Sequence, residues 1–143
     1  AARKEAEALD AAGKLRPVPT FSGYHVRGDR ATWVDGEGSG SLAGAVQLLR
    51  GVAGALQSVG FPEALLVPTK AMLACYPADG ARYPSHLDST GEDPRRLTCI
   101  LYLQTLGWRS EVSGGELSVQ LPNEGSPRRI EPIGGRLVVF NSR

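Results

Sequence analysis

An imidazole and a carboxylate stand two positions apart in the segment RYPSHLDST, at His86 and Asp88. On a β-strand, residues i and i+2 project from the same face, which would place these two side chains next to each other. A histidine and a carboxylate arranged in this way supply two of the three protein ligands of the 2-His-1-carboxylate site that holds non-haem Fe(II). The spacing therefore makes His86 and Asp88 candidate metal ligands. Taken alone, the same motif is more often a structural His–Asp pair.

Two tyrosines on predicted strands could line a pocket beside this pair. Tyr102 shares one face of LTCILYLQ with Thr98, Ile100 and Gln104, a largely polar set at alternating positions. Tyr76 follows the apolar run KAMLAC. Tyrosine hydroxyls from neighbouring strands can bind the carboxylate of an acidic ligand while their rings wall the pocket. Each tyrosine taken singly is more often a core residue with a hydrogen-bonded hydroxyl.

The other histidine and the two cysteines are interpreted as structural. His25, in GYHVRGD, has no carboxylate two residues away and is expected at the surface or in a hydrogen bond. Cys75 and Cys99 lie in apolar, strand-like runs without a nearby basic partner, so each thiol is expected to be a small buried hydrophobe. We therefore expect two free thiols and no disulfide, in keeping with a reducing compartment.

The charge balance and hydropathy of the chain exclude several classes of partner. The 143 residues include 16 Lys and Arg against 15 Asp and Glu, so the basic excess of a nucleic-acid-binding protein is absent. No apolar stretch is long enough to span a membrane, and the N-terminal AARKEAEALDAAGK lacks the apolar core of a signal peptide. We expect a monomeric protein of the cytoplasm or nucleus with no nucleic-acid or membrane partner. The pair Arg128-Arg129 is interpreted as solvated loop charge.

Helical patterns occupy much of the first part of the chain. Residues 2–13 form a charged, helix-prone run that ends at Gly13. Apolar residues at helical spacing predict a second helix over residues 42–59, with Ser41 as its N-cap. A strand is predicted between the two helices, over residues 30–34. The apolar stripe of the second helix is expected to pack in the core.

After Pro68 the apolar period changes from helical to alternating. Short strands bounded by Gly, Pro, Asp and Asn are predicted over residues 69–77, 82–88, 97–104, 115–122 and 135–141. Helices followed by a run of strands predict a mostly β fold with flanking helices, built on a double-stranded β-helix of the jelly-roll or cupin-like type.

The order of these motifs resembles a known family. The succession ACYP, GARYPSHLDST, RLTCILYLQ, SGGELSVQLP and IEPIGGRLVVFNSR is similar to the prolyl 4-hydroxylases of the hypoxia-inducible-factor type, and RGDRATWVDG is typical of that branch. The resemblance runs from about Val26 to the C-terminus. It implies an Fe(II)- and 2-oxoglutarate-dependent dioxygenase that hydroxylates a prolyl residue of a target protein or peptide. The cofactors implied are Fe(II), 2-oxoglutarate and O2, with ascorbate as a candidate addition.

The resemblance also implies roles for individual residues. The first two iron ligands, and thus the catalytic centre, would be His86 and Asp88. Tyr102 matches the tyrosine that hydrogen-bonds the distal carboxylate of 2-oxoglutarate, Tyr76 matches a pocket tyrosine close to the same cosubstrate, and Leu117 corresponds to an apolar wall. On the substrate side, the resemblance implies contacts from Tyr83 and Arg95.

The resemblance sets an expectation for the domain as well. Residues 1–143 would be a single oxygenase domain, in which residues 1–25 are an N-terminal helix and an extended lead-in. Residues 26–143 would be the helix and jelly-roll core, incomplete at the C-terminus. In the family, a second His ligand and an Arg that binds 2-oxoglutarate follow the strand that resembles LVVFNSR. We therefore expect the polypeptide to continue past Arg143.

Two other functions are compatible with these residues. A jelly-roll binding module could keep the fold and be catalytically silent, although joint retention of His86, Asp88, Tyr76 and Tyr102 argues against it. An oxygenase acting on a free small molecule would use the same iron ligands. Titration with Fe(II) and 2-oxoglutarate separates the first alternative from both enzymes, and assays with a peptide against a free amino acid separate the enzymes.

Overall fold

The structure is a computed structural model that describes residues 1–18 and 28–143. These residues form two compact units, of which one comprises residues 1–99 with 139–143 and the other residues 100–138. His25 lies outside the described residues, as do the other residues of the range 19–27. Within the described ranges, no helix has the length and apolar character needed to cross a membrane.

Two helices of the first unit are connected by hydrogen bonds to one carboxylate. Helix α1 spans Ala2–Ala11 and helix α2 spans Ser41–Ser58, close to the predicted ranges. The predicted N-cap of α2 is wrong, because the cap position is Gly40 and no cap side chain bonds the helix. Instead, the Glu5 carboxylate accepts hydrogen bonds from the backbone N–H groups of Ser41 and Leu42, at 2.7 Å and 2.9 Å. A side chain of α1 thus satisfies two N–H groups that a helix terminus leaves without partners.

The first unit also contains a three-stranded antiparallel sheet. Its strands are β1 (Arg16–Pro17), β2 (Arg30–Asp35) and β3 (Lys70–Cys75), in the spatial order β1-β2-β3. Leu73 is buried opposite Thr32, whereas the next cross-strand pair, Trp33 and Met72, is largely exposed. Side chains therefore alternate between a core face and an open face, as the sequence pattern predicted. The buried apolar residues among those described are Leu15, Leu42, Ala43, Val46 and Leu73.

The segment that carries the His–Asp motif is not a strand. Residues 76–96, between β3 and the next strand, contain neither helix nor strand, so the strand predicted over residues 82–88 is wrong. Pro84 lies within this segment and has no backbone N–H to donate to a ladder. The segment is instead held by isolated hydrogen bonds, such as the one that the Ser89 N–H donates to the Ser142 carbonyl at 2.9 Å.

Two further strands pair with each other, and the boundaries between the units fall within them. They are β4 (Leu97–Leu101) and β7 (Leu137–Asn141). Strand β4 is shorter than predicted and ends before Tyr102, whose backbone N–H donates to the Arg136 carbonyl at 3.0 Å. Strand β4 carries Thr98, and Ser142 directly follows β7.

The second unit contains a short helix and a hairpin. Helix α3 spans Ser110–Ser113, and strands β5 (Leu117–Val119) and β6 (Arg128–Ile130) pair antiparallel. The sequence interpreted Arg128 and Arg129 as solvated loop charges. Both side chains are exposed to solvent, but they lie on strand β6, so the loop assignment is wrong. The Arg129 guanidinium bonds the Glu116 carboxylate at 2.9 Å beside the adjoining strand, so the arginine stays at the surface while its backbone joins the ladder.

Candidate metal centre

His86 and Asp88 lie in direct contact. The distance from His86 Nε2 to Asp88 Oδ1 is 2.9 Å, and the two side chains are 34% and 19% exposed. The contact occurs in an irregular segment, so strand geometry is not its cause. The two residues are adjacent because Pro84 and Thr98 hold one side chain each.

The imidazole is oriented by a backbone carbonyl. His86 Nδ1 lies 2.8 Å from the Pro84 carbonyl oxygen, which can only accept a hydrogen bond. Nδ1 therefore carries a proton in this contact, and Nε2 is the ring nitrogen that faces Asp88. Histidines that bind metals are commonly fixed in this way, by donation from the second ring nitrogen to a carbonyl or carboxylate.

The contact between His86 and Asp88 fits a shared cation. Nε2 and Oδ1 both present lone pairs, so a separation of 2.9 Å requires a proton or a metal ion between them. Adjacent ligands at right angles on a metal with bonds of about 2.1 Å lie roughly 3 Å apart. The donor set of one imidazole and one carboxylate is also that of a non-haem Fe(II) site. Within the part of the chain that the structure describes, no group of three or more His, Cys, Asp or Glu side chains that could hold a metal ion forms. The assignment of His86 and Asp88 as metal ligands stays a prediction.

The second carboxylate oxygen of Asp88 is hydrogen-bonded to one hydroxyl group, and that hydroxyl group is hydrogen-bonded to a second one. Thr98 Oγ1 bonds Asp88 Oδ2, and Ser142 Oγ lies 2.9 Å from Thr98 Oγ1. Ser142 is only 2% exposed, and its backbone N–H donates to the Arg96 carbonyl at 3.0 Å. We call Asp88, Thr98 and Ser142 the hydroxyl relay. The sequence had placed Thr98 on a polar strand face, but it offered no signal for Ser142.

An aromatic ring lies against the imidazole. The rings of Tyr83 and His86 are stacked with their centroids 3.7 Å apart and an angle of 26° between their planes. The stack limits rotation of the imidazole about its side-chain bonds, because one of its faces is covered. The sequence assigned Tyr83 to the substrate side, and the structure places it beside the first predicted iron ligand.

The other site residues predicted in the first unit lie at the ends of the same irregular segment. Tyr76 directly follows β3 and is 44% exposed. Arg95 lies shortly before β4, where its backbone N–H donates to Asp93 Oδ1 at 2.8 Å and its guanidinium lies 3.6 Å from that carboxylate. The bond from the Arg95 N–H lowers the pKa of the Asp93 carboxyl. The roles of Tyr76 and Arg95 in binding stay predictions.

Tyr102 and Leu117 belong to the second unit. Tyr102 is partly buried, and this burial raises the pKa of its hydroxyl, while the positive charge of Arg136 opposes that rise. A neutral phenol with a cation nearby can donate a hydrogen bond to a carboxylate. Leu117 begins β5 opposite Ile130. Their parts in a pocket for 2-oxoglutarate stay predictions from the resemblance.

Neither cysteine belongs to the centre. Cys75 and Cys99 are both free thiols and both partly buried. Burial raises the pKa of each thiol, and the nearby Asp10 carboxylate raises that of Cys75 further. A raised pKa disfavours the thiolate, which is the nucleophilic and metal-binding form. The sequence predicted free, buried thiols; both thiols are free, but each is only partly buried.

Comparison with known proteins places this geometry in a family. Residues 71–143 match the 2OG-Fe(II) oxygenase superfamily, a range that includes the His–Asp pair and the complete hydroxyl relay. The chain belongs to the 2OG-Fe(II) oxygenase superfamily. The family chemistry uses Fe(II), 2-oxoglutarate and O2, and the predicted cofactors are confirmed to that extent.

Several curated relatives indicate which branch of this family the chain resembles. The chain is 34% identical over 134 residues to Egl nine homolog 1 of Homo sapiens, covering 90% of this chain and 30% of that protein. It is 32% identical over 126 residues to the human prolyl hydroxylase EGLN3, covering 87% of this chain and 52% of the relative. The chain thus spans between about a third and a half of these curated relatives. The predicted resemblance to prolyl hydroxylases of the hypoxia-inducible-factor type is confirmed.

Solved structures agree with the predicted fold. A Pseudomonas putida prolyl-4-hydroxylase has a TM-score of 0.77 and 29% identity, with 98% of this chain and 72% of that one covered. A prolyl hydroxylase from Trichoplax adhaerens, in complex with a hypoxia inducible factor oxygen degradation domain peptide fragment, has a TM-score of 0.78 and 30% identity, with 99% and 66% covered. The predicted fold class, a jelly-roll core with flanking helices, is confirmed by these neighbours.

A surface hollow lies elsewhere in the first unit. Its lining includes Glu5, Leu9, Trp33 and Leu42, which belong to α1, β2 and the start of α2. None of its lining residues belongs to the His–Asp pair or the hydroxyl relay. The position of the candidate centre therefore rests on donor chemistry and family membership, not on the shape of this hollow.

Proposed function

We propose that this chain belongs to the catalytic domain of an Fe(II)- and 2-oxoglutarate-dependent dioxygenase that hydroxylates a prolyl residue of a protein or peptide. The single observation that carries the proposal is the contact between His86 Nε2 and Asp88 Oδ1 at 2.9 Å, with Nδ1 held by the Pro84 carbonyl. This arrangement presents one imidazole nitrogen and one carboxylate oxygen to the same point, as an Fe(II) site of this family requires.

In this proposal the residues of the chain bind and orient. His86 and Asp88 hold Fe(II), which when bound supplies the oxidation that converts substrate C–H, O2 and 2-oxoglutarate into substrate C–OH, succinate and CO2. Pro84 keeps the proton on Nδ1, so that Nε2 stays available as a ligand. Tyr76, Tyr102 and Leu117 are assigned to 2-oxoglutarate, with the Tyr102 hydroxyl as the donor to its distal carboxylate.

The substrate class in the proposal rests on likeness. The Trichoplax neighbour is described in complex with a peptide fragment of hypoxia inducible factor. A prolyl segment presents an extended backbone with little conformational freedom to lose on binding. Tyr83 and Arg95, at either side of the His–Asp pair in sequence, are the residues we assign to the peptide. We include ascorbate as an added reductant and a reducing cytoplasmic or nuclear location in the same proposal.

The metal-binding part is tested by a His86→Ala substitution in the full-length protein. Removing one of the predicted ligands should weaken Mn(II) binding, measured by calorimetry without O2, by at least about tenfold. The matched control is His25→Ala, which removes the other histidine of the chain and should leave the affinity for Mn(II) unchanged. Equal Mn(II) affinity in wild type and His86→Ala would contradict the assignment of the site.

The reaction is tested with the wild-type protein, Fe(II) and O2. We expect 2-oxoglutarate consumption to rise when a proline-containing peptide is added, with one hydroxyl gained by the peptide for each succinate formed. Free proline should not replace the peptide. If free proline were hydroxylated instead, the small-molecule oxygenase would be the correct function; if Mn(II) bound but 2-oxoglutarate did not, the binding module would be. Leaving out ascorbate should shorten the time for which turnover continues.

A further inference from the structure

The hydroxyl relay has a direction that follows from its chemistry. An ionised carboxylate only accepts hydrogen bonds, so the Thr98 hydroxyl must donate its proton to Asp88 Oδ2. A threonine hydroxyl has one proton, and therefore Thr98 Oγ1 must accept the bond of 2.9 Å from the Ser142 hydroxyl. Ser142 therefore donates to Thr98, and Thr98 donates to Asp88. The direction of the second bond determines the direction of the first.

The two carboxylate oxygens of Asp88 have different partners. Oδ2 of Asp88 accepts from Thr98, whereas Oδ1 faces His86 Nε2 at 2.9 Å. Only Oδ1 is then directed to the point that a shared metal would occupy. A carboxylate that bound through both oxygens would take an additional coordination position. The chemistry of the family needs open positions on the metal for 2-oxoglutarate and O2.

Burial and backbone bonds hold the far end of the relay. Ser142 and Ser89 are each 2% exposed. The Ser89 N–H donates to the Ser142 carbonyl at 2.9 Å, and the Ser142 N–H donates to the Arg96 carbonyl at 3.0 Å. Ser89 directly follows Asp88 in the chain. Ser89, the residue after Asp88, is thus hydrogen-bonded to Ser142, the first donor of the hydroxyl relay.

We propose that Thr98 and Ser142 are positioning residues for the metal site, which hold Asp88 so that it binds the metal through Oδ1 alone. The inference rests on the proposed function, because it needs His86 and Asp88 to be metal ligands. Ser142 acts only through Thr98, and Thr98 acts only through Asp88. Hydrogen-bond partners of metal ligands typically change metal affinity or activity by 10–100-fold when removed.

The test is a set of substitutions that separate the hydroxyl from the shape of the side chain. Thr98→Val removes the donor and keeps the branched shape, and it should weaken Mn(II) binding by about tenfold in calorimetry. Thr98→Ser keeps the hydroxyl and should bind Mn(II) within about twofold of wild type. Ser142→Ala should give a smaller loss than Thr98→Val, because Thr98 can still donate to Asp88.

Two controls distinguish positioning from stability. Thr32→Val makes the same change at a half-buried position of β2 and should leave Mn(II) affinity unaltered. Thermal unfolding of the metal-free proteins shows whether Thr98→Val also alters the fold; if that variant does not fold, Thr98→Ser against Ser142→Ala decides the question. If Thr98→Val folds and binds Mn(II) with wild-type affinity, the positioning role is wrong and the proposed function stands. If Thr98→Val does not fold, wild-type Mn(II) affinity in folded Ser142→Ala leads to the same conclusion. Absence of Mn(II) binding in wild type itself removes both proposals together.

Discussion

His86 is held on three sides by groups of different kind. The Pro84 carbonyl bonds Nδ1, Asp88 faces Nε2, and the Tyr83 ring covers one face at a centroid distance of 3.7 Å. A ligand fixed in this way loses little rotational freedom when a metal binds. In the proposed metal site, affinity should therefore depend on the neighbours of the imidazole as well as on the imidazole itself.

The stacking of Tyr83 on His86 gives a prediction at the residue scale. Stacked ring pairs contribute about 0.5–1.5 kcal/mol, which corresponds to a two- to tenfold change in an equilibrium constant. Tyr83→Leu should weaken Mn(II) binding by a factor in that range, because the imidazole becomes more mobile. Tyr83→Phe retains the ring and should therefore lose less Mn(II) affinity than Tyr83→Leu. An unchanged Mn(II) affinity in Tyr83→Leu, measured by calorimetry, would exclude a role for the stack.

Residue types and short spacing were enough to predict the His–Asp pair, but not the reason for its geometry. The prediction relied on a strand, whereas the pair occurs in an irregular segment fixed by Pro84 and Thr98. Hydroxyl side chains produce no periodic pattern, and Ser142 contacts Thr98 across 44 positions of the sequence. Contacts of this kind cannot be inferred from local pattern alone.

At the scale of elements, local pattern was a better guide. Helix α2 and strands β3 and β7 have long, regular apolar periods, and their predicted ranges agree closely with the structure. Strand β6 was missed because its three residues are two arginines and one isoleucine after a turn that contains Asn123 at a positive φ of 67°. So short and charged a strand is defined by its partner β5, not by its own composition.

The Glu5 carboxylate at the start of α2 gives a prediction about pH. Bonds from the Leu42 and Ser41 N–H groups lower the pKa of Glu5 below its ordinary value of 4.5. Its contribution to stability is therefore complete above about pH 4.5 and is lost as the pH falls through the lowered folded value. Glu5→Gln should lower the thermal unfolding midpoint at pH 6, and the gap from wild type should narrow toward pH 3.

The control for this pH experiment is a second glutamate of the same helix. Glu7 pairs with Arg3 at 2.7 Å on the exposed surface of α1 and does not bond α2. Exposed pairs at this spacing contribute little, so Glu7→Gln should leave the unfolding midpoint nearly unchanged at both pH values. A gap between wild type and Glu5→Gln that stayed constant from pH 6 to pH 3 would contradict the inferred role of Glu5.

At the scale of the whole molecule, the described core is small and lies in the first unit. Leu73 is 9% exposed and belongs to this core, whereas Leu66 is 94% exposed. Leu73→Ala should reduce the free energy of unfolding by about 2–4 kcal/mol, because it removes buried apolar surface and leaves a cavity. Leu66→Ala makes the same change in solvent and should alter it by less than about 0.5 kcal/mol. Urea unfolding of both variants measures the difference, and equal losses would show that Leu73 is not a core residue.

The separation of Thr98 from Ser142 in the chain has a consequence for the order of folding. Their hydrogen bond joins residues 44 positions apart, and closing a loop of that length costs roughly 3 kcal/mol in chain entropy. The β5–β6 hairpin forms from nearby residues and shortens the effective loop, yet contacts at such long range generally form late. The carboxylate of Asp88 is then oriented only when most of the fold is complete. If Asp88 binds the proposed metal, a partly unfolded chain should therefore bind that metal more weakly than the native protein.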